Sequence, residues 1–351
     1  MTIVIRLQQT ATDAQRSEVV ERTSRTGVVP RVHTPTMVSA PGSLDAVKAA
    51  LADLDQVAEV AKLSADYPQA AKAARDGGSM VKLGEALIGS EEFTVIAGPC
   101  SVETQSQLSK TARAVQQAGA HALRGGVFKP RTSPYAFQGL GRAGLDLAQV
   151  AREETGLPFV TEVVDVRDVE ILAENVDMLQ IGARNMQNYA LLREVGATRI
   201  PVLLKRGLAA TIDETLMAAE YLLDGGNSQV VLCERGIRAF ESGYRFALDL
   251  TAVTVFRERT HLPVIVDPSH AAGATDRVIP LALAAAACGA DGIIVESHCD
   301  PASALCDGKQ ALPVEDLPEL MQRLRFAATA GGKRLSAPAG RPGWQHARLA
   351  V

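Results

Sequence analysis

The chain has few aromatic residues, few cysteines and no excess of positive charge. Phe, Trp and Tyr make up 4% of its 351 residues, and the formal net charge is −4. An acidic chain gives no electrostatic reason to expect binding to nucleic acid or to an anionic membrane surface. The five cysteines are an odd number in a long chain, which favours reduced thiols in the cytoplasm over a disulfide framework.

Long apolar runs are also missing. The most apolar segment, 279–295, contains Gly289 and Asp291 and does not have the character of a membrane span. The first residues, Met-Thr-Ile-Val-Ile-Arg, reach a charge too early for a secretory leader. We therefore expect a cytoplasmic protein without membrane or nucleic-acid partners. What is abundant is Ala, Val, Leu, Ile and Gly, which is typical of strands that alternate with closely packed helices.

Residues 1–64 have the pattern of a small separate domain. Apolar runs and helical spacing follow one another in the order βαββαβ, which predicts a ferredoxin-like α+β domain with a regulatory or associating role. The segment 34–43 fits this pattern least, because Pro35, Pro41 and Gly42 lie where the third strand is expected. Residues 65–92 are predicted to form a linker with a short hairpin around Gly84.

Between residues 93 and 326, short aliphatic runs alternate with helical segments. Runs that are apolar throughout indicate strands buried on both faces, as in a parallel sheet. Eight such runs predict a (β/α)8 TIM barrel as the catalytic domain. An open doubly wound sheet is the alternative, but no predicted strand is followed by a G-x-G-x-x-G loop. The predicted strands are Thr94–Ala97, His121–Arg124, Pro158–Thr161, Met178–Ile181, Val202–Lys205, Gln229–Leu232, Val264–Val266 and Gly292–Val295.

The segment 327–351 follows the last predicted helix. It is rich in Gly, Ala, Pro and Arg and lacks apolar periodicity, so it is predicted to be a flexible C-terminal tail. Trp344 is its best candidate for an anchor.

Basic residues are concentrated in the stretch 123–141 and after the predicted fourth, fifth and sixth strands. In a barrel of this kind, residues at the carboxyl ends of the strands converge on one face. Together they predict a pocket for anions that carry several charges, such as two phosphates and a carboxylate, although a set of solvated surface charges is the alternative. The cations are Arg124, Lys129, Arg131, Arg184, Lys205, Arg206, Arg235 and Arg238.

Residues of metal-ligand type follow the ends of the first, seventh and eighth strands. They are Cys100, His270, Glu296 and Asp307. A mixed set of sulfur, nitrogen and oxygen donors suits a divalent Mn, Fe, Co or Zn ion and does not choose between them. Each residue also has a simpler explanation, with Cys100 as a buried thiol, His270 as a loop cap and Asp307 as a helix cap. Because the three strands are neighbours around the ring, we favour the metal site.

A series of motifs along the barrel resembles 3-deoxy-D-arabino-heptulosonate 7-phosphate (DAHP) synthase. The resemblance is to the Iβ branch, whose barrel often carries an N-terminal ferredoxin-like domain, and it extends from about Phe93 to Leu312. The motifs are Ile96-Ala-Gly-Pro-Cys-Ser-Val-Glu103, Lys129-Pro-Arg-Thr-Ser-Pro-Tyr135, Phe137-Gln-Gly-Leu-Gly141, Gln180-Ile-Gly-Ala-Arg-Asn185, Leu203-Leu-Lys-Arg-Gly207, Cys233-Glu-Arg-Gly-Ile-Arg238, Val266-Asp-Pro-Ser-His270 and Asp307-Gly-Lys-Gln310.

The resemblance implies a transferase that condenses phosphoenolpyruvate with erythrose 4-phosphate and releases phosphate, at the entry to the shikimate pathway. It implies that Cys100, His270, Glu296 and Asp307 bind the metal and that Arg131 and Thr132 bind erythrose 4-phosphate. Phosphoenolpyruvate would be bound by Arg124, Lys129, Ala183, Arg184, Lys205 and Arg235. Lys129 and Glu162, with His270 as metal ligand, are the candidates for the catalytic residues.

Three other functions remain open from the sequence. A 3-deoxy-octulosonate 8-phosphate synthase is similar but has Lys-Ala-Asn in place of Lys129-Pro130-Arg131. A Schiff-base aldolase would use Lys205 as its nucleophile. A non-catalytic regulatory barrel would need neither set of polar residues.

The resemblance also raises expectations about regulation and assembly. It implies a homodimer or homotetramer and inhibition by an aromatic amino acid through the N-terminal domain. Cys306 lies beside Asp307, and we expect it either to be an inert loop thiol or to form an inactivating disulfide with Cys100 when the metal is absent.

Overall fold

The computed structural model describes residues 2–62 and 66–336. In the first of these ranges, a four-stranded antiparallel sheet in the order β2-β3-β1-β4 packs against two helices. This is the ferredoxin-like arrangement that the βαββαβ pattern predicts. The elements are β1 (Thr2–Leu7), α1 (Asp13–Ser24), β2 (Arg31–Thr34), β3 (Met37–Pro41), α2 (Leu44–Leu51) and β4 (Val57–Lys62).

The third strand of this domain forms in spite of its proline and glycine. Pro41 is the last residue of β3, and Gly42 follows it with a φ of +134° that turns the chain toward α2. A proline at the end of a strand removes no hydrogen bond that the sheet needs, so the strand remains paired to β1. Met37 and Val38 are buried, whereas Pro41 is exposed.

A short hairpin, β5 (Val81–Leu83) and β6 (Ala86–Ile88), links the small domain to the barrel, as predicted around Gly84. Three of its side chains, Val81, Leu83 and Ile88, are buried in a cluster with residues that line the barrel interior. A Cβ atom on Gly84 would lie 2.8 Å from Cγ of Pro158, which precedes a barrel strand. The hairpin therefore closes the amino-terminal end of the barrel, and the opposite end remains for the site.

Within residues 66–336, eight parallel strands form a closed ring in which β13 pairs with β14. All eight are buried, which explains their apolar sequences. The strands are β7 (Thr94–Gly98), β8 (Ala122–Arg124), β9 (Phe159–Val163), β10 (Met178–Ile181), β11 (Val202–Lys205), β12 (Val230–Glu234), β13 (Val264–Val266) and β14 (Gly292–His298), and β15 (Leu312–Pro313) pairs with the end of β14.

Helices surround the ring and connect successive strands. They are α3 (Gln105–Ala118), α4 (Arg142–Thr155), α5 (Val169–Asn175), α6 (Tyr189–Ala197), α7 (Ile212–Asp224), α8 (Leu250–Arg259), α9 (Pro268–Ala272), α10 (Val278–Ala287) and α11 (Leu317–Ala330). Their starts are capped by side chains in several cases; Thr211, for example, forms a reciprocal capping box with Glu214 at α7. The TIM barrel predicted from the alternating runs is confirmed. No helix in the described ranges is both long and apolar enough to span a membrane.

The start of the predicted tail belongs to the packed structure, which corrects the boundary at residue 327. Helix α11 continues to Ala330, and Lys333 then donates hydrogen bonds to the carboxylate of Asp291 at 2.5 Å and to the carbonyl of Ser90 at 2.6 Å. These contacts hold residues 331–334 against the amino-terminal end of the barrel. The predicted anchor, Trp344, lies outside the described residues.

Several polar contacts join α7 of the barrel to the preceding segments, and two of them involve Arg31 and Glu220. Arg31 of β2 forms a salt bridge with Asp224. The buried carboxylate of Glu220 accepts hydrogen bonds from the backbone N–H groups of Gln69 and Ala70 at 2.8–3.0 Å. Burial raises the pKa of Glu220 to about 7, although these hydrogen bonds oppose the shift.

Candidate active site

A cavity of about 350 Å³ opens at the carboxyl end of the barrel. Its position follows from the parallel strands, whose carboxyl ends all point to this face. Most of the site residues predicted from the sequence line it, and these are Lys129, Arg131, Thr132, Glu162, Ala183, Arg184, Lys205, Arg235, His270 and Asp307. Arg124 lies deeper, in a small adjoining cavity that Lys129 and Glu162 also line.

Asp307 connects two groups of side chains that are suitable as metal ligands. His270, Glu296 and Asp307 each offer one ligand atom, and these three atoms lie within 4.8 Å of one another. The same is true of one ligand atom each from Cys100, Cys306 and Asp307. The four ligands predicted from the sequence are therefore brought to one place, with Cys306 beside them. Asp307 has a φ of +51°, the only positive φ of a non-glycine residue in the described ranges.

The imidazole of His270 is oriented by Asp267. Its Nδ1 lies 2.7 Å from Oδ2 of Asp267, which leaves Nε2 facing Oε1 of Glu296 at 3.4 Å. A histidine held in this way presents a fixed nitrogen to a metal ion. Burial alone would raise the pKa of Asp267, but the charges of His270 and Lys205 outweigh it and hold this pKa well below its usual value. Burial lowers the pKa of His270 in spite of the neighbouring carboxylates.

Glu296 is completely buried at the end of β14. Arg124 donates to its Oε1 at 3.2 Å, and Gln310 donates to its Oε2 at 2.6 Å. Burial opposes ionisation, but the positive charges of His270 and Arg124 outweigh it and lower the pKa of Glu296 to about 2. The residue is therefore a carboxylate at neutral pH, the form that binds a metal ion.

Cys100 lies between the possible metal ligands and the basic side chains. Its Sγ is 3.1 Å from Sγ of Cys306, 3.4 Å from Oδ2 of Asp307 and 3.2 Å from Nζ of Lys129. The hydrogen bond with Cys306, burial and the charge of Glu296 raise the pKa of Cys100. The pKa of Lys129 is raised as well, because nearby negative charge, that of Cys100 first, outweighs the effect of burial.

Two of the arginines are held in defined positions. Nη2 of Arg124 contacts Glu296, whereas its Nη1 is buried without a hydrogen-bond partner among the described residues. A buried guanidinium donor without a partner is costly unless a ligand fills the role. Arg235 stacks on the ring of Phe246, with Cζ 4.1 Å from the ring centroid, and donates to the carbonyl of His270 at 3.3 Å.

Glu162 and Gly182 are in close contact on neighbouring strand ends. A Cβ atom on Gly182 would lie 1.9 Å from Oε1 of Glu162, so only glycine leaves room for the carboxylate in this position. Strand β9 continues past its predicted end at Thr161 to Val163, which places Glu162 within the strand. The side chain lines the cavity beside Lys129, whose pKa its charge helps to raise.

Besides Arg124, two of the predicted cations do not line the cavity. Arg206 is buried in ion pairs with Glu234 at 2.9 Å and Asp249 at 3.0 Å, and Arg238 is exposed. Arg206 comes directly after Lys205, the last residue of β11, and because successive side chains of an extended chain alternate in direction, Lys205 faces the cavity and Arg206 does not. The sequence analysis missed Asp267, Arg245, Phe246 and Gln310. Asp267 and Gln310 carried a sequence signal, since they belong to the motifs that end in His270 and begin at Asp307, whereas Arg245 and Phe246 carried none.

The donor atoms of this cluster fit a divalent transition metal. Thiol, imidazole and carboxylate groups come from Cys100, His270, Glu296 and Asp307, and the last three supply atoms within 4.8 Å of one another. Asp267, Arg124 and Gln310 orient these groups from behind, as expected for residues that support metal ligands. The arrangement pairs a site for a cation with a pocket for anions, so it can hold a charged substrate beside a Lewis acid.

Comparison with known proteins points to one family. The model of the DAHP synthetase I family matches residues 67–328. The chain is 47% identical over 283 residues to a phospho-2-dehydro-3-deoxyheptonate aldolase of Thermotoga maritima, covering 81% of this chain and 84% of the relative. It is 32% identical over 256 residues to a 2-dehydro-3-deoxyphosphooctonate aldolase of Syntrophobacter fumaroxidans, covering 68% of this chain and 88% of that protein.

Solved structures agree with these sequence matches. A crystal structure of phospho-2-dehydro-3-deoxyheptonate aldolase (DAHP synthase) from Thermotoga maritima superimposes with a TM-score of 0.77 at 40% identity, covering 95% of this chain and 99% of that one. A truncated form of 3-deoxy-D-arabino-heptulosonate 7-phosphate synthase from the same organism gives a TM-score of 0.72 at 43% identity over 77% of this chain and 99% of that one.

Proposed function

This chain belongs to the DAHP synthetase I family of enzymes, and we propose that it condenses phosphoenolpyruvate with erythrose 4-phosphate and water. The products are 3-deoxy-D-arabino-heptulosonate 7-phosphate and inorganic phosphate, and the reaction depends on a divalent metal. The observation that carries the proposal is the cavity, which is lined by basic side chains and lies beside the cluster of His270, Glu296 and Asp307.

The anionic substrate groups are assigned to the basic side chains. Arg184, Lys205 and Arg235 line one part of the cavity, near the backbone of Ala183, and Arg124 lies deeper with a free donor. These residues bind phosphoenolpyruvate, whose phosphate and carboxylate both need charge-assisted hydrogen bonds. Arg131 and Thr132, on the loop after β8, bind the phosphate of erythrose 4-phosphate.

Cys100, His270, Glu296 and Asp307 would hold a divalent ion, which would act as a Lewis acid toward the aldehyde. C3 of phosphoenolpyruvate forms the new bond to the aldehyde carbon, and the positive charge at C2 is tolerated because the bound phosphate and carboxylate are adjacent. Lys129, held as an ammonium by its neighbours, donates a proton to the aldehyde oxygen. Glu162 accepts a proton from the water that adds at C2. The C2–O bond to phosphate then breaks, and the new C2 hydroxyl gives its proton to the departing phosphate and becomes the ketone.

The nearest alternative is the synthase that uses arabinose 5-phosphate. Lys129-Pro130-Arg131-Thr132 in place of Lys-Ala-Asn supports the four-carbon sugar, because Arg131 and Thr132 reach into the cavity. Phosphate release with each sugar tests this choice. We expect a kcat/KM with erythrose 4-phosphate at least about a hundredfold higher, a difference of roughly 3 kcal/mol in transition-state binding. Equal values would contradict this choice, and reversed values would assign the chain to the other reaction.

A Schiff-base aldolase has less support. The buried ammonium of Lys205 forms an ion pair with Asp267, whereas a nucleophilic amine has to be neutral. Borohydride reduction in the presence of substrate distinguishes the two, since only a Schiff base would leave substrate attached to Lys205.

We also propose roles for the parts of the chain outside the barrel. Residues 1–64 form a regulatory domain, 65–92 a linker and 93–330 the catalytic unit, which assembles as a homodimer or homotetramer. The aromatic amino acids tyrosine, phenylalanine and tryptophan are the candidate effectors of the regulatory domain. Inhibition assays with each of the three test this directly, and a rate that none of them changes would contradict it.

A further inference from the structure

We propose that Cys306 is a ligand of the metal centre, so that the site has two thiolates rather than one. The proposal shares with the proposed function only the position of the metal site. Sγ of Cys306 lies 3.1 Å from Sγ of Cys100, and both belong to a group with Asp307 whose ligand atoms are within 4.8 Å of one another. Cys306 and Cys100 therefore stand in the same relation to Asp307, the residue that also belongs to the group with His270 and Glu296.

The backbone at Asp307 brings two consecutive side chains to the same place. In an extended strand, neighbouring side chains point to opposite sides. The left-handed conformation of Asp307, with a φ of +51°, changes this direction, and Cys306 Sγ and Asp307 Oδ2 both contact Cys100 Sγ. A non-glycine residue in this region is strained and calls for a compensating interaction. Joint coordination by Cys306 and Asp307 supplies one.

The surroundings of Cys306 are those of a ligand rather than of a core thiol. Its side chain is buried, yet it is not part of the apolar clusters of the described residues. Its neighbours are the thiol of Cys100, the guanidinium of Arg131 and the carboxylate of Asp307. Cys233 is the contrast, since it is equally buried but packs among apolar residues inside the barrel.

A second thiolate changes which ion the site prefers. Sulfur ligands select softer ions, whereas carboxylates suit Mn²⁺ and Mg²⁺. If Cys100 is the only sulfur ligand, the four-ligand site binds both Mn²⁺ and Zn²⁺, and the oxygen and nitrogen ligands mostly determine which ion it prefers. With both Cys100 and Cys306 bound, it favours Zn²⁺ and Co²⁺ over Mn²⁺.

Titration with Co²⁺ tests the proposal by counting sulfur ligands. Metal-free protein, fully reduced and kept free of oxygen, is titrated while the thiolate-to-cobalt charge-transfer absorbance is recorded. If both thiolates bind, Cys306→Ser and Cys100→Ser each retain about half of the wild-type intensity, and the double variant retains none. Cys288→Ser, at a half-buried thiol remote from the cluster, serves as the matched control and keeps the full intensity.

The contrary result is equally clear. If only Cys100 binds the metal, Cys306→Ser keeps the full absorbance and Cys100→Ser loses all of it, and the proposal is overturned. Absence of the band in the wild type overturns it as well. Cys306→Ala gives a second variant should serine disturb the fold. Competition between Zn²⁺ and Mn²⁺ adds a readout, because we expect the Zn²⁺ preference to fall at least about tenfold in Cys306→Ser. Phosphate release by the Mn²⁺-loaded wild type tests the proposed reaction separately, because it does not depend on how many thiolates bind the metal.

Discussion

Nε2 of Gln310 lies 2.6 Å from Oε2 of Glu296, and this hydrogen bond joins the loop after β14 to the strand itself. The other end of the same amide accepts a hydrogen bond from Arg245, which lines the cavity. The two partners leave only one orientation for the amide, because a guanidinium donates and a carboxylate accepts. Gln310 therefore couples an arginine that lines the cavity to one of the proposed metal ligands.

Replacement of Gln310 tests this coupling. Gln310→Ala removes the donor to Glu296, so we expect metal affinity to fall by about 10- to 100-fold, as for other residues that support metal ligands. Titration of metal-free protein with Mn²⁺ measures the change. Gln117→Ala, at an exposed position of α3, is the matched control. Equal affinities in Gln310→Ala and the control would show that the hydrogen bond does not position Glu296.

Asp267 is expected to support both catalysis and folding. It orients His270 and pairs with Lys205, so Asp267→Ala leaves a buried ammonium without its partner. Breaking a buried pair in this way costs about 3–5 kcal/mol of the free energy of unfolding. Urea denaturation measures this loss. Asp267→Asn keeps an acceptor oxygen, and we expect it to recover part of the stability but not the metal affinity. Wild-type stability of Asp267→Ala would contradict the account.

Glu220 gives the fold a defined pH dependence. Its pKa is raised from an ordinary value of 4.5 to about 7 by burial, so the folded protein binds the proton more tightly than the unfolded chain. Its contribution to stability is therefore present in full below about pH 4.5 and is lost as the pH rises toward 7. The loss is about 3 kcal/mol, since one pKa unit corresponds to roughly 1.4 kcal/mol.

Comparison with Glu220→Gln isolates this effect. Glutamine stays neutral at every pH, so the stability of the wild type relative to Glu220→Gln should decline between pH 5 and pH 8. Urea unfolding at the two pH values provides the measurement, and Glu194→Gln, at an exposed position of α6, is the control. A difference that is the same at both pH values would show that Glu220 does not titrate in this range.

Cys100 and Cys306 are placed to form a disulfide when no metal is bound. Their sulfur atoms, 3.1 Å apart, have to approach by only about 1 Å to reach bonding distance. Diamide accepts the two electrons and two protons that the thiols lose. We expect diamide to oxidise this cysteine pair in the metal-free enzyme and thereby to inactivate the enzyme. After the enzyme has been loaded with metal, we expect neither oxidation of the pair nor inactivation. Alkylation followed by mass spectrometry identifies the pair, and inactivation of Cys306→Ser at the wild-type rate would contradict this.

The sequence predicts those features that follow from periodicity. The barrel strands could be located because runs such as 202–205 are apolar throughout, and the cations at their ends then converge by geometry. The same reasoning could have excluded Arg206, because it comes directly after Lys205 at the end of β11 and its side chain therefore points to the other side. Arg245 could not be predicted, since it lies in an irregular loop whose path depends on contacts across the barrel. The strand at 37–41 fits the predicted pattern poorly only because the sequence does not show that Pro41 is the last residue of the strand.

Metal removal and restoration test the central claim most directly. The account places a divalent ion and two anionic substrates in one cavity, so chelator-treated enzyme should release no phosphate from phosphoenolpyruvate and erythrose 4-phosphate. Addition of Mn²⁺, Fe²⁺, Co²⁺ or Zn²⁺ should restore release, and His270→Ala should not be restored by any of them. Full turnover by the metal-free enzyme, or by His270→Ala, would contradict it.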